Sequence, residues 1–99
     1  MTYRIRYTNK ARADIRRLYG FLLDQDFAAA EKAVEVIVRT INTLKEFPFL
    51  ARKAPGEDAF LRELIIPFGA TGYIALYEIE NTTTVTILAI RHQREDDYH

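Results

Sequence analysis

Hydrophobic residues recur along this chain with two different periods. Tyr3, Ile5 and Tyr7 alternate with Thr2, Arg4 and Arg6, the period of a short strand with one buried face. From Lys10 to about Gln25 the period lengthens. Ala11, Ile15, Leu18, Phe21 and Leu22 fall three and four apart, while Lys10, Arg12, Asp14, Arg16, Arg17 and Asp24 take the remaining positions. That spacing predicts an amphipathic helix, capped by Thr8 or Asn9, with Arg12, Arg16 and Arg17 making its outer face basic. Asp26 is placed to cap a second helix, from Phe27 to about Glu46, whose stripe is Ala30, Val34, Ile37, Ile41 and Leu44. Pro48 ends it, and a link as short as Asp24-Gln25-Asp26 folds the two helices into an antiparallel hairpin.

After a connecting loop from Phe47 to Ala59, marked by Pro48, Pro55, Gly56 and Asp58, the short period returns. Leu61 to Phe68 reads as a strand that Pro67 bends or keeps at an edge. Gly69 and Gly72 supply a turn, and Tyr73 to Glu80 alternates again, with Tyr73, Ala75, Tyr77 and Ile79 opposite Ile74, Leu76, Glu78 and Glu80. A second turn at Asn81 to Thr83 leads into Thr84 to Arg91. There Val85, Ile87 and Ala89 share one face and Leu88 and Ile90 the other, so this strand is expected inside the sheet. The expected order is β-α-α-β-β-β in a single domain spanning 1–99. It is an α+β fold, an antiparallel-rich sheet packed on an N-terminal α-helical hairpin, with the first strand joined to the sheet by a crossover. Helices cover one sheet face. The other, with Tyr73 and Tyr77 or Ile74 and Leu76, and a groove on the hairpin are expected to leave apolar surface for a partner segment.

Charge narrows the function. Lys plus Arg and Asp plus Glu are equal at 14 each, so no global field steers the protein onto nucleic acid, and direct nucleic-acid binding is not expected. Residues 1–50 hold nine cations against six anions, and residues 51–99 five against eight. There is no cysteine, which excludes disulfides and thiolate chemistry. The histidines are His92 and His99, too few for a metal centre, and no cofactor is expected. No apolar run approaches the roughly 20 residues of a membrane helix. Met1 to Tyr7 lacks the apolar segment of a signal peptide, so a cytoplasmic protein with no membrane partner is expected.

The chain has no serine, which rules out a serine triad, and Gly69 and Gly72 sit between strands rather than before a helix, which makes them turn glycines and not a phosphate-cradling loop. One cluster remains. Arg62 lies near the start of one strand, and Arg91, His92, Arg94 and Tyr98 end another, with Arg52 and Lys53 on a loop within reach. Cations beside a His or Tyr suit a metal-free ribonuclease. The same residues suit a charged docking surface. They are equally consistent with simple pairing to Glu95, Asp96 and Asp97.

Arg62-Glu63-Leu64, Tyr73-Ile74-Ala75-Leu76-Tyr77 and the ending Ile87-Leu88-Ala89-Ile90-Arg91-His92-Gln93-Arg94, in the β-α-α-β-β-β order, resemble the RelE/ParE superfamily of bacterial toxins. The resemblance covers nearly the whole chain. It implies a type II toxin neutralised by a small antitoxin whose C-terminal segment wraps it. RelE-like members are ribosome-dependent mRNA endonucleases, typically strongly basic. ParE-like members share the fold, generally lack that catalytic set, and inhibit DNA gyrase. The neutral charge, a loop with only Arg52 and Lys53, and the acids beside Tyr98 place this chain with the ParE-like branch, with a ParD-like antitoxin and gyrase as partners. On that branch Arg52, Lys53, Arg62, Arg91, His92, Arg94 and Tyr98 are partner-binding candidates and no residue is catalytic. The RelE-like alternative makes Arg62, His92, Arg94 and Tyr98 the nuclease set.

Overall fold

The computed structural model describes residues 2–98. Met1 and His99 lie outside the described residues. The elements are β1 (Arg4–Tyr7), α1 (Asn9–Leu23), α2 (Phe27–Asn42), a turn of 3-10 helix (Thr43–Lys45), β2 (Arg52–Lys53), β3 (Leu61–Phe68), β4 (Thr71–Ile79) and β5 (Thr84–His92). Thr8 is the cap of α1, accepting from the Ala11 N–H at 3.0 Å, and Asp26 caps α2 through the Ala29 N–H at 3.1 Å. Each side chain satisfies one of the first-turn donors that a helix leaves free.

The sheet has five strands in the order β1-β5-β4-β3-β2. β1 runs parallel to β5, reached by the helical crossover, and every other neighbour is antiparallel. β5 lies between β1 and β4, as its two apolar faces predict. The fifth strand corrects the expected count. Arg52 and Lys53 are not on a free loop but pair with Glu63 and Arg62 on the edge of β3. Two residues carry too little periodicity to be seen as a strand.

A second correction concerns which residues of β5 share a face. Leu76 pairs with Ala89 but Tyr77 with Ile87, so Leu88 bulges out of the ladder. An extra residue reverses the phase of alternation beyond it. Ile90 therefore joins Val85 and Ile87 on the helix-covered face, and Ala89 turns to the other. That face packs Ile66, Tyr73, Ala75, Tyr77, Ile87 and Ile90 against Ala11 and Leu18 of α1 and Ala33, Ile37 and Ile41 of α2. The alanines are completely or almost completely buried and let the helix backbones approach the sheet. Tyr73 and Tyr77 are thus core residues, and the apolar opening expected at their face is closed. At the β3–β4 turn Gly72 has φ 142°, and a Cβ there would collide with the Ile66 carbonyl oxygen.

β1 is shorter than β5, which leaves the outer edge of β5 without a strand beyond Tyr7. Side chains and the entry to α1 complete it. The Thr8 N–H donates to the Ile87 carbonyl at 3.1 Å and the Thr8 hydroxyl to that of Leu88 at 3.0 Å. The Ile90 N–H donates to Asp14 Oδ2 at 2.8 Å. Asp14 was expected on the outer side of its helix, but it points inward and is only 3% exposed. Lys10 Nζ, 2.6 Å from Oδ1, and Arg17, at 3.7 Å, balance its charge. A charge-assisted bond of this kind is worth about 1.5–3 kcal/mol, and its loss leaves a buried N–H unpaired. Asp14→Ala is therefore expected to lower unfolding stability by about 2–3 kcal/mol, read as a reduced urea midpoint at constant slope. A shift below about 0.5 kcal/mol would show that the edge is satisfied in another way.

Candidate functional site

β3 and β5 both run antiparallel to β4, so Arg62, in register with Tyr77, lies toward the opposite end of the sheet from His92, in register with Tyr73, and the candidate residues leave the sheet in three directions. Arg62 points into the loop between α2 and β3. Its Nε donates to the Ala59 carbonyl at 3.0 Å, and Nη1 to those of Phe49 and Ala51 at 3.1 and 3.0 Å. Its guanidinium lies 5.3 Å from the centre of the Phe49 ring. It is a loop clamp. Beside it the Tyr77 hydroxyl donates to the Pro48 carbonyl at 2.5 Å. Burial pushes that phenol up to about 12, with the Arg62 charge pulling it back.

On the sheet face away from the helices, Glu63 is 6% exposed and anchors a second group. Arg52 Nη2 sits 3.1 Å from Glu63 Oε1, and the Tyr98 hydroxyl donates to Oε2 at 2.7 Å. The Tyr98 ring lies over the Arg91 guanidinium, 5.2 Å from carbon to ring centre. Arg91 also donates to the Glu95 and His92 carbonyls, while its Nε is buried without a hydrogen-bond partner among the described residues. Glu63 and Arg91 lie on strands either side of β4, so Tyr98 spans that strand. This accounts for Ile74 and Ala89 being buried on a face without helices. The apolar opening expected at Ile74 and Leu76 is therefore mostly roofed by the chain's own tail. Ile65 remains exposed at its margin.

His92 faces the other way, with Tyr73. The two rings meet edge to face at 5.6 Å. Nδ1 accepts from the Arg94 N–H at 3.1 Å, which leaves the ring proton on Nε2, 3.0 Å from Thr71 Oγ1. Glu95 holds this corner by accepting from the His92 N–H at 2.8 Å and pairing with Arg17 at 3.1 Å. His92 and Arg94 border a largely apolar groove of about 610 Å³, walled by Leu18, Phe21 and Leu22 of α1 and by Phe68 and Tyr73 of the sheet. Phe21 is 67% exposed at its rim. Phe27 and Leu23, also exposed, continue the apolar surface along the tip of the helical hairpin.

Chemically, this is a dispersed set. General acid–base catalysis needs its groups within hydrogen-bond reach of one reacting atom. Here Arg62 is occupied by carbonyls, His92 opens into the helix-side groove, and Tyr98 lies on the opposite sheet face. Burial raises the Tyr98 phenol well above its ordinary value. Its bond to Glu63 and that carboxylate's charge raise it further, against a smaller lowering by Arg91. Lys53 is exposed on the edge strand, away from His92. The groove itself was foreshadowed by the apolar face expected on the hairpin. Its floor from Phe68 and Tyr73 and the anchoring carboxylates Asp14 and Glu63 were missed, while Glu95, expected to pair with the tail arginines, instead holds Arg17 and the His92 N–H. A charged residue at a stripe position, such as Asp14 between Ala11 and Leu18, was the available signal.

Both phenols hold their protons to higher pH in the fold than in the unfolded chain, where tyrosine ionises near 10. The stability they contribute is complete below pH 10 and is lost as pH rises to 12 and beyond. The urea midpoint should fall across that range, and Tyr98→Phe should make the fall shallower. Identical alkaline profiles for the two proteins would remove Tyr98 from this account.

Comparison with known proteins agrees with this architecture. A family model described as the ParE toxin of the type II toxin–antitoxin system parDE matches residues 5–97. Toxin RelE3 of Caulobacter vibrioides is 33% identical over 86 residues, covering 87% of this chain and 89% of that protein. Toxin RelE1 of the same organism is 28% identical over 79 residues, covering 80% and 82%. A chain in the chromosomal ParDE system from P. aeruginosa superposes with a TM-score of 0.75 over 92% of this chain and 96% of that one. At 23% identity that likeness speaks to the fold alone. A chain of the toxin–antitoxin complex RelBE2 from Mycobacterium tuberculosis gives a TM-score of 0.61 at 25% identity, covering 94% and 100%.

Proposed function

The chain belongs to the ParE toxin family of type II toxin–antitoxin systems, and from that premise we propose that it inhibits DNA gyrase by protein–protein contact and is held inactive by a ParD-like antitoxin. The supporting observation is the scattering of Arg62, His92, Arg94 and Tyr98 over three environments. A nuclease requires them together around a phosphate. A protein inhibitor needs only a shaped surface, and a net charge of +0 suits a protein target better than dense phosphate.

Antitoxin capture is assigned to the helix-side groove. An amphipathic segment places apolar side chains against Phe21, Leu22 and Phe68, and an acidic residue beside Arg94. The similar structures from P. aeruginosa and M. tuberculosis come from a ParDE toxin–antitoxin system and a RelBE2 toxin–antitoxin complex, which supports such a partner. No helix among the described residues is long and apolar enough to cross a membrane. Action in the cytoplasm, where gyrase works, is part of the proposal.

The second reading is a RelE-like, ribosome-dependent mRNA endonuclease, favoured by the names of the Caulobacter relatives. A supercoiling assay with purified gyrase separates the two. Stoichiometric toxin is expected to block supercoiling, and full supercoiling at tenfold excess would refute the gyrase reading. For the groove, Phe21→Glu is expected to weaken antitoxin binding at least tenfold by calorimetry, equal to about 1.4 kcal/mol, with an unchanged circular dichroism spectrum. Unaltered affinity would move the antitoxin elsewhere.

A further inference from the structure

The loop between α2 and β3 displays its largest apolar side chains to water. Phe47, Phe49, Leu50 and Phe60 are 54%, 48%, 79% and 52% exposed. Phe49 and Phe60 meet edge to face at 6.2 Å and, with Tyr3 and Ile79, line a shallow cavity of about 340 Å³. A floppy loop bearing such residues would collapse onto the nearest apolar surface. This one is held open from beneath. Arg62 is committed to three of its carbonyls and the Tyr77 hydroxyl to a fourth. The Ala54 N–H bonds to the Leu61 carbonyl at 2.8 Å, and Asp58 accepts from the Phe60 N–H at 2.8 Å. An Arg and a Tyr of the sheet are thus used to fix backbone whose side chains gain little burial. Rigid aromatic anchors on a pre-organised backbone are what tight protein recognition uses, because little conformational entropy remains to be lost on binding.

We propose that this loop, through Phe47, Phe49, Leu50 and Phe60, is the surface with which the toxin grips its protein target. The inference rests on the reading of the chain as a toxin that acts by protein contact. Charge decides the class of partner. Aromatic rings beside arginines also form stacking platforms for single-stranded nucleic acid, but those need free cations for phosphate. Here Arg62 is consumed by carbonyls and Arg52 is neutralised by Glu63, which leaves Lys45 and Lys53 against Glu46, Glu57 and Asp58. An apolar cluster with a balanced rim fits a folded protein offering apolar pockets and mixed polar edges.

The position adds a consequence. β4 runs from Thr71, at the groove, to Ile79, at the loop's cavity, so antitoxin seat and target surface lie at opposite ends of one strand. An antitoxin seated in the groove therefore leaves Phe47 and Leu50 uncontacted, and it neutralises through the bulk it adds to the complex.

The test uses full-length toxin carrying Phe47→Glu with Leu50→Glu, which leaves Arg62 and Tyr77 in place, and the milder Leu50→Gln as a control for folding. Growth arrest is followed in cells without antitoxin, alongside unfolding midpoint, antitoxin affinity and sedimentation. The double variant is expected to lose growth arrest at least tenfold in inducer dose, with antitoxin affinity within twofold of wild type, and Leu50→Gln to lose part of it. Undiminished arrest by either folded variant overturns the proposal, whatever the target. Loss of arrest accompanied by loss of oligouridylate binding makes the partner a nucleic acid and also overturns it. So does conversion of a wild-type dimer to monomer, which makes the occupant a second copy. If wild-type toxin arrests growth without inhibiting gyrase and the double variant is harmless, the gyrase reading fails and the surface stands.

Discussion

An incomplete strand edge governs much of this molecule. β5 outruns β1, and its backbone groups beyond Tyr7 would be buried without partners. The chain answers with Thr8, which caps α1 and bonds to β5 at once, and with Asp14, which carries a charge into the core to receive one N–H. A buried carboxylate is costly unless paired, so Lys10 and Arg17 flank it. These bonds set where α1 crosses the sheet. They therefore set the groove between α1 and the β3–β4 turn. Glu95 extends the same device one residue pair further, taking the His92 N–H and turning the tail back across the open face.

The parts of the fold legible in sequence were those with an uninterrupted period. Both helices, their caps and the three long strands follow from spacing, because a stripe three or four apart and a strict alternation leave little choice. Where the period is carried by too few residues it is silent, as at Arg52 and Lys53. Where nearly every residue is apolar it is ambiguous. From Val85 to Ile90 the run contains no polar residue but Thr86, so nothing marks the bulge at Leu88 or the resulting exchange of Ala89 and Ile90. The groove was legible only as an apolar hairpin face. Its floor depends on which way the β3–β4 turn folds, a tertiary fact.

The charged residues teach a different lesson. Arg62 falls in register with Tyr77 and His92 with Tyr73, toward opposite ends of β4, and adjacent residues on a strand point to opposite faces. Arg91 and His92 are therefore separated by the sheet itself. Most of the cations are tied to carbonyls, carboxylates or rings that shape loop and tail. What the surface offers instead is two apolar regions at opposite ends of β4, one walled by α1 and one displayed by a clamped loop. On the proposed reading, shape, more than reactive groups, is the functional content of this chain.

That conclusion is tested most directly by mapping mRNA cleavage on translating ribosomes with purified toxin, by primer extension. The account predicts no codon-specific cuts at toxin concentrations that arrest growth. Discrete cuts inside the ribosomal A site that vanish in Arg94→Ala or Tyr98→Phe, with both variants still folded, would contradict it and restore the dispersed residues to a common catalytic role.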